Sequence, residues 1–264
     1  MKEVCPNFLD EMYKVLELVG CGGGVKTYLV LNKRACKKQC MIIYEKSRFS
    51  SDIMNWIIKM SKLEHPVIPR IIDILENENY YFIIKEYLEG RTLDLIIKKS
   101  GAQAVETVVE WAKQLCSLLH YLHTLNPPHI FCGLKPGNIL LMPDGWLKLI
   151  DFGTMRMSDT EKTNTFSGTI GYAAPEEFGG YGPVDERTDI YELGATMYHL
   201  VTGLDPSIEL EMKPIRQINP ALPESLEYII GKCTQVHPEE RYQSCEELLR
   251  ALNGDWKPKR RKVF

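Results

Sequence analysis

A change of period near residue 90 constrains the fold of this chain more than any other feature. Before it, apolar residues come in runs of strand length; after it they recur at helical spacing. Residues 14–19, 27–31, 39–44 and 80–85 read as strands, and the first two flank a turn, Gly20-Cys21-Gly22-Gly23-Gly24. One helix interrupts them at about 51–63, with Ile53, Ile57, Met60 and Leu63 on one face and Ser50, Ser51 or Asp52 as caps. Beyond Gly90, the positions Val105, Val108, Ala112, Leu115, Leu119 and Leu122 mark a long amphipathic helix that stops before Pro127-Pro128. Later helices are read at 188–202, 224–234 and 244–252. Strands first and helices afterwards make an α+β arrangement of two lobes, with a cleft between lobes as the default ligand site.

Composition narrows the function classes. With 264 residues, 44% of them apolar, the chain has ample material for a core. A net charge of −3 argues against a dedicated nucleic-acid binder, and no nucleic-acid partner is expected. The eight cysteines form no Cys-x-x-Cys pair, and residues 1–10 lack the apolar core of a signal peptide. Reduced thiols in a cytoplasmic setting are the expectation. No apolar run approaches the roughly 18 residues of a membrane span. His120 and His123 lie three apart on the long helix, a spacing that suits a metal but also a packed helix face.

The chemistry-bearing residues follow in a fixed order. The run Ile130-Phe131-Cys132-Gly133-Leu134-Lys135-Pro136-Gly137-Asn138-Ile139-Leu140-Leu141 comes first, and Asp151-Phe152-Gly153 follows it. Then come Thr169-Ile170-Gly171-Tyr172-Ala173, Ala174-Pro175-Glu176, Arg187-Thr188-Asp189-Ile190-Tyr191 and His237-Pro238-Glu239-Glu240-Arg241. In this order the motifs resemble the protein kinase family, bacterial Ser/Thr kinases in particular, over residues 11–253. That resemblance implies a small β-rich lobe at about 11–86, a larger helical lobe at about 87–253, an N-terminal extension at 1–10 and a basic tail at 254–264.

The resemblance also implies site residues. Nucleotide contacts fall at Gly20, Gly22, Cys40, Glu86, Leu88 and Leu140, with Cys40 and Leu140 as the two sides of an adenine slot. Asn138 and Asp151 fall at the positions that hold magnesium, and they also suit plain loop hydrogen bonding. Lys135 is retained. Met60, Phe131 and Phe152 fall at packing positions, and Glu176 with Arg241 at a buried ion pair. Three chemical positions depart from the pattern. Gly133 stands where an aspartate would accept the substrate proton, Ile42 where a lysine would grip the phosphates, and Trp56 where a glutamate would pair with that lysine. Cys132 replaces the arginine that pairs with a phosphorylated segment, and Val25 replaces the third glycine of the phosphate loop.

Two functions are compatible with this pattern. The first is a pseudokinase: a regulatory or scaffolding module that binds a protein partner, with weak or absent binding of ATP and Mg. The alternative is an unorthodox ATP-dependent Ser/Thr kinase whose phosphate-binding lysine is relocated to Lys26 or to Lys85 at the gatekeeper position. Thr160, Thr163, Thr165 and Ser167 are candidate phosphorylation sites or simply a polar loop. The tail Lys257-Pro258-Lys259-Arg260-Arg261-Lys262 is a solvated terminus or a contact for an anionic membrane surface. The residues do not specify an oligomeric state.

Overall fold

The computed structural model describes residues 7–22, 24–48, 53–150, 156–157, 168–179, 181–208 and 211–254, and of Asn7, Phe8, Trp56, Arg156 and Met157 the backbone alone. The chain divides into two compact units between Glu89 and Gly90. Among the described residues no helix is long and apolar enough to cross a membrane.

The first unit opens on a short helix, α1 (Asn7–Met12), and continues through β1 (Tyr13–Gly22), β2 (Val25–Asn32), β3 (Lys37–Glu45), α2 (Ile53–Ser61), β4 (Ile71–Glu76) and β5 (Tyr80–Glu86). Its five strands form one antiparallel sheet in the order β1-β2-β3-β5-β4. Successive strand residues point to opposite faces, and both faces are covered. Met41 and Ile43 join Leu9, Tyr13, Val30, Phe82 and Ile84 on the α1 side. Ile42 joins Ile57 and Ile83 on the other, with Ile53 and Met54 of α2 packed against them. A strand buried on two faces reads as a continuous apolar run, which is why Met41-Ile42-Ile43 and Phe82-Ile83-Ile84 show no alternation. Within the expected extension, Leu9 of α1 is fully buried.

Two sequence expectations need correction here. Gly20, Cys21 and Gly22 belong to β1, because pairing continues through Gly20↔Thr27 and Cys21↔Lys26 to Gly22↔Val25. The hairpin is therefore tighter than a five-residue turn, and Gly24 takes the left-handed φ of +84° that it needs. The strand β4 went unread, because Ile71-Ile72-Asp73-Ile74-Leu75-Glu76 lies at a sheet edge with an irregular register and no alternation. The candidate caps Ser50, Ser51 and Asp52 lie outside the described residues.

The second unit contains β6 (Arg91–Thr92), α3 (Leu93–Ser100), α4 (Val105–His123), β7 (His129–Ile130), β8 (Ile139–Leu141), β9 (Leu147–Leu149), β10 (Arg156–Met157), α5 (Glu186–Thr202), α6 (Ile215–Ile218), α7 (Glu224–Cys233) and α8 (Cys245–Gly254). Its core is helical: α4 packs on α5 and α8, and α5 on α7. The apolar stripe of α4 is buried as its spacing requires, with Val108, Ala112, Leu115, Leu119 and Leu122 inside. By contrast α5 is buried almost all round, from Thr188 to Val201, between an Asp185 N-cap and a left-handed Gly203 C-cap. Its polar residues are thus interior groups that must find partners.

Close approach of α5 to α7 depends on Gly194, where a Cβ would stand 2.5 Å from Cys233 Cβ and 2.9 Å from Thr234 Cγ2. Gly194→Ala is expected to destabilise the protein by about 1–3 kcal/mol through overpacking, measured by urea unfolding. An unchanged or raised midpoint would show that the two helices separate without cost.

Candidate functional site

Between β7 and β8 the chain crosses residues 131–135 and makes one turn at Pro136–Asn138. Helix α5 holds this loop through three side chains on one face. Asp189 is fully buried, and its Oδ2 accepts from Phe131 N at 2.9 Å and its Oδ1 from Cys132 N at 2.9 Å. His123 Nε2 donates to the same carboxylate at 2.7 Å. One turn on, Glu192 Oε2 accepts from Leu134 N at 2.8 Å, and its carboxyl also takes the Gly133 amide. Thr196 Oγ1 donates to Leu134 O at 3.1 Å. Two carboxyl groups therefore absorb four consecutive loop amides. They also sustain Cys132 at a φ of +50°, an uncommon conformation for a residue with a side chain.

The loop is closed from its other end as well. Asn138 Nδ2 donates to Gly133 O at 2.9 Å, which leaves the amide oxygen turned away from that bond. An oxygen of this kind suits a hard cation such as magnesium, whereas its expected companion Asp151 lies outside the described residues, as does Phe152. Lys135 Nζ donates to Thr169 Oγ1 at 2.7 Å and ties the loop to the segment that ends at Ala174-Pro175-Glu176. Leu140 is half-buried in β8 opposite Thr92. Gly133 itself offers only backbone.

Farther along, Tyr172 Oη lies 2.5 Å from His199 Nδ1 and 3.2 Å from Asp205 Oδ1. Burial and the Asp205 charge push the Tyr172 phenol up, and burial pushes His199 down.

In the first unit, Ile42 is 8% exposed and belongs to the apolar cluster on the α2 side of the sheet. Trp56 occupies α2, but its side chain lies outside the described residues. Cys40 shares the Ile42 face and stands opposite Lys85 across the β3–β5 ladder. Burial pushes the Cys40 thiol up, while Lys85 pulls it back. Lys26 differs. Its strand neighbours Tyr28 and Val30 join the α1-side cluster, so Lys26 projects from the face opposite Ile42 and is not a replacement on that face. Met60 is buried in α2. Glu86 is engaged locally: its N–H donates to Arg70 O at 3.0 Å and its Oε1 accepts from Arg70 N at 3.1 Å. Leu88 follows, half-buried.

The expected ion pair is present. Arg241 and Glu176 have no exposed side-chain surface and meet through two bonds of 2.7 and 2.8 Å. Thr188 Oγ1 donates to Glu176, and the carbonyls of Gln235, Val236 and Arg187 take the remaining guanidinium protons. The two histidines differ: His120 is exposed. His123 is committed to Asp189, and among the described residues no group of three His, Cys, Asp or Glu could hold a metal. Glu192 and Thr196 went unread in the sequence. The available signal was a glutamate three residues after Asp189, inside a largely apolar helix.

A five-stranded antiparallel sheet with the helix α2 packed on it, followed by a helical unit whose buried aspartate clamps such a loop, defines a protein kinase domain. The family profile for that domain matches residues 13–260, and the chain belongs to the protein kinase family. It is similar to a probable serine/threonine-protein kinase of Clostridium acetobutylicum, at 29% identity over 93% of this chain and 40% of the relative. It is also similar to the serine/threonine-protein kinase PrkC of Bacillus subtilis, at 30% identity over 89% of this chain and 39% of the relative. A third relative, PknB of Mycolicibacterium smegmatis, is 27% identical over 92% and 43%. The chain thus spans about two fifths of the length of these kinases.

Removing one partner of the buried pair should be costly, because it strands a charge without solvent. Glu176→Ala is expected to lose about 3–5 kcal/mol in denaturant unfolding, and Arg241→Met added to it should recover part of that loss. A loss below about 1 kcal/mol would assign the pair to the weak, solvent-screened class.

Proposed function

We propose that this chain is a pseudokinase, a kinase-like domain at residues 11–253 that acts as a regulatory or scaffolding module for a protein partner on the cytoplasmic side. Residues 1–10 extend it and 254–264 form a basic tail able to meet an anionic membrane surface. One observation carries the reading: the loop at 131–138 keeps its backbone held at every amide from 131 to 134, while Gly133 supplies no acid–base group. Ile42 supports it from the other unit, since an apolar side chain packed with Ile57 and Ile83 cannot grip phosphate. Trp56 at the glutamate position removes the other half of that pair together with it. Losing both avoids a stranded charge.

General-base assistance is worth about 10²–10⁴-fold, so its loss alone lowers transfer without abolishing it. Absence of the lysine–glutamate pair removes the positioning on which phosphoryl transfer mainly relies. Gly20, Gly22, Cys40, Glu86, Leu88 and Leu140 would contact adenine or phosphate, with Asn138 and Asp151 on magnesium. Without a lysine, ATP affinity is weak or absent. The alternative of an active Ser/Thr kinase with a relocated lysine rests on Lys85, a cation on the Ile42 face.

Purified protein is expected to transfer no detectable γ-phosphate to itself or to generic basic substrates. Titration calorimetry should give ATP·Mg binding no tighter than about −5 kcal/mol, which is high micromolar or weaker. Metal-dependent autophosphorylation that disappears in Asp151→Asn would overturn the reading. So would submicromolar ATP affinity, and Lys85→Met would then test the replacement cation.

A further inference from the structure

His123 is bonded through both of its ring nitrogens. Nε2 donates to Asp189 at 2.7 Å. On the far side of the ring Nδ1 meets Cys245 Sγ at 3.7 Å, within reach of the larger sulfur atom. Among the described residues no other atom bonds Nδ1. Cys245 is the first residue of α8 and 1% exposed, and the His123 side chain is 9% exposed, so the contact is nearly closed to solvent.

The sulfur is itself held in place. Ser244 Oγ accepts from Glu247 N at 3.1 Å and fixes where α8 begins. The Cys245 carbonyl accepts from Cys116 Sγ at 2.9 Å. Cys116 and His123 are two turns apart on one face of α4, so that helix grips the start of α8 at two points. The Cys116 thiol, and then burial, push the Cys245 thiol well above its ordinary range, which keeps it a neutral S–H group. A neutral thiol both donates and accepts. It serves a bare Nδ1 through its proton and a protonated Nδ1 through its lone pair.

We infer that Cys245 is a positioning residue for the loop at 131–132: its thiol pins the His123 ring from behind, so that Nε2 stays on the Asp189 carboxylate. A histidine ring turns softly about its Cβ–Cγ bond. A single bond at Nε2 therefore leaves its plane free, whereas a partner on each nitrogen fixes it. Asp189 is fully buried and shares its charge between Nε2 and the amides of Phe131 and Cys132. With the ring turned away, the carboxylate would lose one of these three donors, and a buried charge short of a donor destabilises what surrounds it. The start of α8 thus reaches the loop through α4 and α5, whether or not the domain transfers phosphate.

Two variants of nearly equal size separate this role from packing. Cys245→Ser keeps a group that donates and accepts, while Cys245→Ala removes it and changes the side-chain volume little further. Amide exchange at Phe131 and Cys132 is expected to quicken about two- to tenfold in Cys245→Ala, the effect of one modest hydrogen bond, and to stay near the natural rate in Cys245→Ser. NMR of the His123 ring supplies a signature that packing alone would not move. The Nε2 proton should lose the protection of its bond to Asp189 in Cys245→Ala and keep it in Cys245→Ser. Equal exchange and equal protection of that proton in the two variants would overturn the inference. Failure of both to fold would also overturn it, because that outcome assigns Cys245 to packing, whereas folding of Cys245→Ser alone would support it.

Discussion

Everything in the helical unit that resembles a kinase site depends on the Asp189 carboxylate. It sits inside a helix buried almost all round, and three donors converge on it: Phe131 N, Cys132 N and His123 Nε2. The three donors do two jobs. The amides set the entrance of the loop and hold Cys132 at its left-handed φ, and His123 ties α4 to α5. An ionised group without solvent persists only when so satisfied. The same requirement makes the clamp cooperative, since loss of any donor raises the cost of keeping Asp189 buried.

That frame does not depend on the groups that do kinase chemistry. No side chain at position 133 enters the clamp, so glycine there leaves its bonds intact. In the sheet unit the argument is similar but runs through packing. Ile42 contributes to the cluster that seats α2 on β3 and β5, so on the proposed reading the position aligned with the family's phosphate-gripping lysine serves core packing. Burying apolar surface at such a site stabilises by about 25 cal/mol per Å², while a lone lysine would need a partner carboxylate.

Much of this was legible beforehand, for physical reasons that differ by element. Helix α4 is declared by its apolar spacing, and β3 and β5 by short apolar runs, because local period and burial agree there. Glu176 and Arg241 were legible only through the ordered motifs, since nothing local tells that residues so far apart in the chain will meet. The edge strand β4 was hidden by its lack of alternation, and the extent of the β1–β2 hairpin by glycines that read as turn but pair as strand. Lys26 was misjudged because distance along a strand says nothing of which face a side chain takes until the register is known. Glu192 escaped because a polar residue in a buried helix announces only that it needs a partner, not which one.

The central claim is that the frame of a kinase domain persists here without its chemistry. Restoring the chemistry tests it most directly. Single-turnover γ-phosphate transfer should be compared between the natural protein and Gly133→Asp combined with Ile42→Lys and Trp56→Glu. The account predicts background transfer for the natural protein and a gain of at least about 10²-fold for the triple variant. Equal transfer by both, or a folded triple variant that gains nothing, would contradict it.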